Sequence, residues 1–159
     1  YWRGVAEVLG GRYDFSGRHK RGATDPFNQA LNYGYAILQG RVTAALQTAG
    51  LDPFAGFLHT DRSGRPSLVL DLMEEFRQPV VDRAVISLFN LGMPVRGGPN
   101  GLDAESRRLI RERVEERLEA RQTWDGRKRP IRGIIEWQAR RLAVALRGEK
   151  RYRPFVMKW

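Results

Sequence analysis

The sequence predicts an all-α fold: about seven helices around a single core, joined by basic loops. Three observations lead there. From 27 to 49 the apolar residues Phe27, Leu31, Tyr35, Leu38, Val42, Ala45, Leu46 and Ala49 return with a period near 3.6, which lines one face of a helix. Ile131, Ile134, Ile135, Leu142 and Leu146 do the same between 130 and 147. No strict apolar–polar alternation, internal repeat or low-complexity block competes with that pattern, which excludes a β-rich or solenoid architecture.

The elements follow in order. Tyr1, Trp2, Val5, Val8 and Leu9 sit at helical spacing and Gly10-Gly11 ends the run, as expected for the tail of a helix. Residues 10–26 are polar, basic and glycine-bearing and close on Thr24-Asp25-Pro26, a loop leading into a helix start. The 27–49 helix stops at Gly50, and Asp52-Pro53 is expected to open a short helix toward His59. Pro66 then launches a helix carrying Leu68, Leu72 and Phe76 as a buried stripe. Pro79 is expected to kink it before Val80, Val81, Ala84, Val85, Leu88, Phe89 and Leu91 continue as an apolar helix. After a Gly- and Pro-rich loop at 92–101, the stretch 102–122 alternates charges around Leu109, Ile110, Val114 and Leu118, as a solvated outer helix does. Residues 123–129 read as a second loop, 130–147 as an amphipathic helix ended by Gly148, and 149–159 as a tail packing on the domain or on a partner.

Composition bounds the function. The 159 residues suit one domain, 1–159. The net charge is +10, from 28 Lys and Arg against 18 Asp and Glu, and arginine dominates. Such a surplus favours polyanions, and the guanidinium fork matches phosphate oxygens. Cysteine is absent, which rules out disulfides and Cys-ligated zinc or iron–sulfur sites within the chain and permits a cytoplasmic location. No apolar run is long enough for a transmembrane helix, so no membrane partner is expected, and the first residues lack signal-peptide character. Opening on Tyr1-Trp2 without methionine, the chain reads as a piece of something longer.

The unusual chemistry gathers between 59 and 77. His59, one of two histidines, precedes Gly64-Arg65-Pro66 and then Asp71, Glu74 and Glu75. Asp71 and Glu74, three apart on a helix, share a face, where a histidine folded back over the first turn joins them around a hard divalent cation. The same spacing also fits a merely solvated acidic flank. Arg12, Arg18, His19, Lys20 and Arg21 form a second basic cluster, in which His19 has no carboxylate neighbours in sequence to make it a ligand.

The stretches Phe57-Leu58-His59, Gly64-Arg65-Pro66-Ser67-Leu68 and Asp71-Leu72-Met73-Glu74-Glu75-Phe76-Arg77 resemble the central signature of the CRISPR-associated integrase family, the catalytic subunit of spacer acquisition. Phe15 and Arg18 are similar to that family's Phe-x-x-Arg, residues 28–35 resemble its Asn-x-Leu-Leu-x-Tyr-x-Tyr element, and Tyr152-Arg153-Pro154-Phe155 resembles its closing motif. The resemblance covers nearly the whole chain. It implies the family's helical catalytic domain, with the β-rich N-terminal lobe and a first metal-binding glutamate lying upstream of Tyr1. It further implies metal-dependent integration of protospacer DNA into a CRISPR array, with His59 and Glu74 as ligands of Mg²⁺ or Mn²⁺ and Asp71 as a further catalytic or ligand-orienting carboxylate. Arg62, Arg65 and Arg77 would hold phosphates or orient the carboxylates, and Arg18, Asn28, Tyr33, Arg140 and Arg141 complete the expected DNA contacts. The expected partners are DNA, a second copy, a small second subunit and the upstream portion of the same protein, without which the chain is expected to be silent. A non-catalytic DNA-binding or assembly module is the alternative.

Overall fold

The computed structural model describes residues 1–9, 13–56 and 65–157. Six α-helical segments carry the fold: α1 (Trp2–Leu9), α2 (Pro26–Thr48), α3 (Ser67–Phe76), α4 (Arg83–Asn90), α5 (Ala104–Glu119) and α6 (Ile131–Leu146). A π-helical turn, Arg77–Asp82, fuses α3 and α4 into one continuous run, so the described residues form five separate helical rods rather than about seven. The expected helix after Asp52 is only a turn among the described residues.

α2 is the axis of the bundle, in contact with α3, α4, α5, α6 and the π-helical turn. Its start is specified locally: Asp25 caps it by accepting from the Asn28 amide at 2.7 Å, and Pro26 occupies the first turn, where its missing N–H costs nothing. Phe27, Leu31, Leu38, Val42 and Leu46 are fully buried along one face, as their period requires. Closure against the next layer depends on Gly34. A Cβ there would lie 2.7 Å from Val81 Cγ1, so only a glycine lets α2 approach the π-helical turn this closely. At one end of the core, Phe27 meets Phe15 and Phe89 with centroids 4.5 and 4.9 Å apart, and Tyr13 meets Phe89 at 4.6 Å. At the other, Phe76 stacks on Phe155 of the tail at 5.3 Å.

Pro79 produces a widened turn where a kink was expected. Lacking an N–H, it breaks the i→i−4 ladder. The Arg83 amide donates to the carbonyls of Gln78 and Val80, and the guanidinium of Arg117 on α5 donates to the Pro79 carbonyl from Nε (3.1 Å) and Nη2 (3.0 Å). A π-helical turn of this kind re-aims the residues at its two ends, here Arg77 and Asp82.

The second expected loop is a β-hairpin. β1 (Arg121–Trp124) pairs antiparallel with β2 (Arg127–Pro130), Arg121 facing Pro130 and Trp124 facing Arg127. Asp125 and Gly126 turn it with φ of 52° and 73°, and positive φ at both central residues matches the twist of a two-residue hairpin. No described helix is long and apolar enough to cross a membrane.

Candidate active site

The loop at 13–25 folds over the start of α2 and is held by three side-chain amides of that helix: Gln29 Nε2 donates to the Ala23 carbonyl and Asn32 Nδ2 to the Lys20 carbonyl, and the buried Asn28 makes the most bonds. Asn28 Nδ2 donates to Gly17 O at 2.8 Å and to Asp25 Oδ2 at 2.9 Å, while its Oδ1 accepts from the His19 amide at 2.9 Å and from Arg18 Nη1 at 3.0 Å. Asn28 is fully buried, so its role is to position the loop and the Arg18 guanidinium that donates to it. Nη2 of Arg18 donates to Asn32 Oδ1 at 2.6 Å, and its Cζ stands 5.3 Å from the centroid of the Tyr35 ring.

Arg77 reaches the same ring from α3's end, with Cζ 4.5 Å from the centroid. Its Nη1 pairs with Glu74 Oε1 at 2.5 Å. Tyr35 in turn donates its hydroxyl to Asp82, which is almost wholly buried, and Tyr1 is a second donor to that carboxylate. Burial pushes the Asp82 carboxyl upward, against the donors and the two nearby guanidinium groups. It raises the Tyr35 hydroxyl too, reinforced by the Asp82 charge. For Arg18, burial lowers the guanidinium's titration and the charge of Arg77 adds to it; for Arg77, burial is the largest single influence and acts the same way, but the hydrogen bonds and charges of Glu74 and Tyr35 together raise it.

Arg18, Tyr35, Glu74 and Arg77 wall a basic cavity of about 230 Å³ that Lys20 and Arg65 also line, with Leu70 and Met73 among its apolar walls. Four cationic side chains converging around one carboxylate attract a phosphate while leaving one hard oxygen ligand in reach. Glu74 also borders a larger, mainly apolar cavity between α3, α6 and the tail, and Asp71 lines that one. Asp71 is buried and Glu74 is half exposed.

Glu75 is differently committed. Tyr152 donates to its Oε1, and Gln138 Nε2 and the Phe155 amide donate to Oε2 at 2.8 and 2.7 Å. Burial raises this carboxyl despite the three donors. It anchors the tail to α3 and is unavailable as a further ligand. The family motif singles out Glu74 but does not tell what Glu75 binds; the helix phase turns Glu75 toward the tail and Glu74 toward Arg77.

The other expected residues are dispersed. Arg65 lines the cavity, and Tyr33, half buried, accepts from Arg111 Nη2 at 3.0 Å. Arg140 is exposed on α6, while Arg141 stacks on Trp124 and pairs with Asp125. His59 and Arg62 lie outside the described residues. Asp71 and Glu74 offer carboxylate oxygens, which fit Mg²⁺ or Mn²⁺ in kind. Among the described residues no group of three His, Cys, Asp or Glu side chains gathers, so α3 alone supplies two donors. Sequence reading missed Asp82 and the Tyr35 hydroxyl; Asp82 sits inside an apolar run where an acid stands out only if asked what pairs it.

Fold and cavity together define a helical domain with an arginine-walled, carboxylate-bearing anion cavity. Residues 1–98 match the family model of the CRISPR associated protein Cas1, and the chain belongs to that family. A "CRISPR-associated endonuclease Cas1 1" of Thermus thermophilus is 47% identical over 99% of this chain and 52% of its own length. Among solved structures, a "Casposase bound to integration product" superposes with a TM-score of 0.86 at 31% identity, covering 94% of this chain and 47% of that one. A chain of a "Partial Cas6-RT-Cas1--Cas2 complex" gives 0.71 at 27% identity, covering 89% of this chain and 45% of that one. The chain spans about half the length of the curated relatives it matches. The family resemblance carried by residues 28–35 and 57–77 is thus borne out.

Proposed function

We propose that this chain is the helical catalytic domain of a CRISPR spacer-acquisition integrase, acting by metal-dependent transesterification of DNA phosphodiesters. The observation that carries the reading is the basic cavity that Arg18, Arg65 and Arg77 line together with Glu74. A similar fold is described in a casposase bound to an integration product.

In the proposed reaction the 3′-oxygen of protospacer DNA forms a bond to phosphorus at the leader–repeat boundary of a CRISPR array, and the bond from that phosphorus to the leaving 3′-oxygen breaks. Arg18 and Arg77, held against Tyr35, fix the non-bridging oxygens of that phosphate; their geometry is set before the strand arrives, so little is lost on binding. Glu74 and His59, with Asp71, would hold Mg²⁺ or Mn²⁺, which when bound would supply positive charge to the phosphate and to the attacking and leaving oxygens. To act as such a ligand Glu74 would give up its ion pair with Arg77, which would free the guanidinium for phosphate. The proposed partners are DNA, a second copy, the small second subunit of the integration complex and the N-terminal portion that the relatives carry. The chain described in a Cas1–Cas2 complex supports the second subunit.

One observation favours the non-catalytic reading: Glu74 is already paired with Arg77 at 2.5 Å, as in a closed structural ion pair. Strand transfer on branched DNA, with the N-terminal portion supplied, separates the two readings. The integrase reading expects joined product with Mn²⁺ and none after chelation. Tight DNA binding with no product under either condition would establish the assembly module instead.

A further inference from the structure

We propose that the β1–β2 ribbon is a second DNA-docking surface, engaging the phosphates of a duplex arm outside the α2–α3 cavity. This rests on the reading that the chain handles DNA, and it identifies where another stretch of the same substrate is held.

Between 121 and 132 the sequence places five cationic side chains, Arg121, Arg127, Lys128, Arg129 and Arg132, against one carboxylate, Asp125. The hairpin register sorts them. Directly opposed residues share a face, so Arg121, Thr123 and Lys128 stand on one face and Gln122, Trp124, Arg127 and Arg129 on the other. Arg121, Thr123 and Lys128 are exposed, whereas Gln122, Trp124 and Arg129 are half covered against α6.

An isolated two-stranded ribbon is marginal in water, and this one is fixed by two guanidinium–indole stacks. Arg141 Cζ lies 4.4 Å from the Trp124 ring centroid and Arg129 Cζ 5.0 Å from that of Trp137. The same Arg141 places Nη2 2.9 Å from Asp125 Oδ2. The ribbon's single carboxylate is thereby neutralised from α6, and among the described residues no carboxylate pairs with Arg127, Lys128 or Arg129. On α5 the contrast is direct: Arg108 and Arg113 are paired with Glu105, Glu112 and Glu116 along their own helix. Arg132 is paired with Glu119 of α5, so among the described residues the ribbon's uncompensated charge lies on Arg121, Arg127, Lys128 and Arg129. Trp137 is 40% exposed beside it, an apolar surface suited to sugar edges.

A twisted two-stranded ribbon fits a duplex groove, with arginine and lysine reaching the flanking phosphates. None of these residues lines the basic cavity, so the two sites engage different stretches of DNA.

The test is the salt dependence of duplex-DNA binding by the chain and by Arg127→Ala/Lys128→Ala, both exposed turn-side positions, with circular dichroism to verify folding. Each lost phosphate contact reduces the log–log slope by about 0.9, so the variant is expected to fall by about two. Lys128 in the unaltered protein is expected to be protected from an amine-acylating reagent by duplex and far less by a single strand. An unchanged slope with no protection of Lys128 overturns the ribbon while leaving DNA handling intact. Equal protection by a single strand overturns the duplex assignment. Failure of the unaltered chain to bind DNA at low salt overturns the reading beneath it as well.

Discussion

Tyr35 on α2 donates its hydroxyl to the buried carboxylate of Asp82, 47 residues away at the end of the π-helical turn. The Tyr35 ring is also the platform for Arg18 and Arg77 and lines the basic cavity, so one hydrogen bond ties that wall of the cavity to the end of the π-helical turn. Tyr35→Phe is expected to cost about 1–3 kcal/mol at neutral pH, because a buried acceptor loses a donor, and urea denaturation measures it. Burial has moved the Asp82 carboxyl above its unfolded range. The folded state therefore binds that proton more tightly, and stability drawn from it is lost as pH rises through the displaced titration. Relative to Asp82→Asn, which stays neutral, the unaltered protein should lose stability as pH climbs through that window. A difference that does not vary with pH would contradict the burial argument.

Gly34 tests how closely α2 and the π-helical turn pack. Its Cβ would meet Val81 Cγ1 at 2.7 Å and Val114 Cγ2 at 3.6 Å, and Val81 is fully buried with no room to yield. Gly34→Ala is expected to destabilise by about 1–3 kcal/mol through overpacking, despite alanine's better helix propensity. The double change with Val81→Ala should recover much of that loss in thermal unfolding.

Glu75 predicts a property of the tail. Glu75→Ala strands the Tyr152 hydroxyl and the Phe155 N–H and removes one of the three acceptors of Gln138 Nε2, which keeps Tyr152 Oη and the Arg153 carbonyl. A loss of roughly 2–4 kcal/mol is expected from abandoning several partly buried donors, with new protease cleavage after 149. Glu75→Gln should be milder, because Gln138 Oε1 is buried without a partner and a rotated amide would present it to the new side chain. Identical proteolysis of all three proteins would show that the tail is held by Phe155 packing alone.

The periodicity of 27–49 and 130–147 made α2 and α6 legible, because burial on one face alone sets their pattern. The hairpin was hidden for a physical reason. Its outward face carries Arg121, Thr123 and Lys128 and its inward face Trp124 and Arg129, so polar residues occupy both faces and no alternation survives. Asp125-Gly126 was the one signal that remained. Pro79 announced a disruption, but its form depended on Arg117, 38 residues away, being able to satisfy the Pro79 carbonyl. In the candidate site, Glu74, Arg65 and Arg77 were legible through the family motif. Asp82 and the distinct commitment of Glu75 were not, since both follow from tertiary partners.

The account's central claim is that Glu74 does chemistry and little structural work. Its carboxylate is half exposed, where an ion pair with Arg77 contributes about 0–1 kcal/mol. The decisive measurement is Mn²⁺-dependent strand transfer by Glu74→Ala, with the N-terminal portion of the relatives supplied, alongside thermal unfolding and DNA affinity of the same preparation. Loss of joined product by at least about a hundredfold, with the melting point and affinity nearly unchanged, is the predicted result; His59→Ala should match it and Asp71→Asn should fall between. Undiminished strand transfer by Glu74→Ala would contradict the claim.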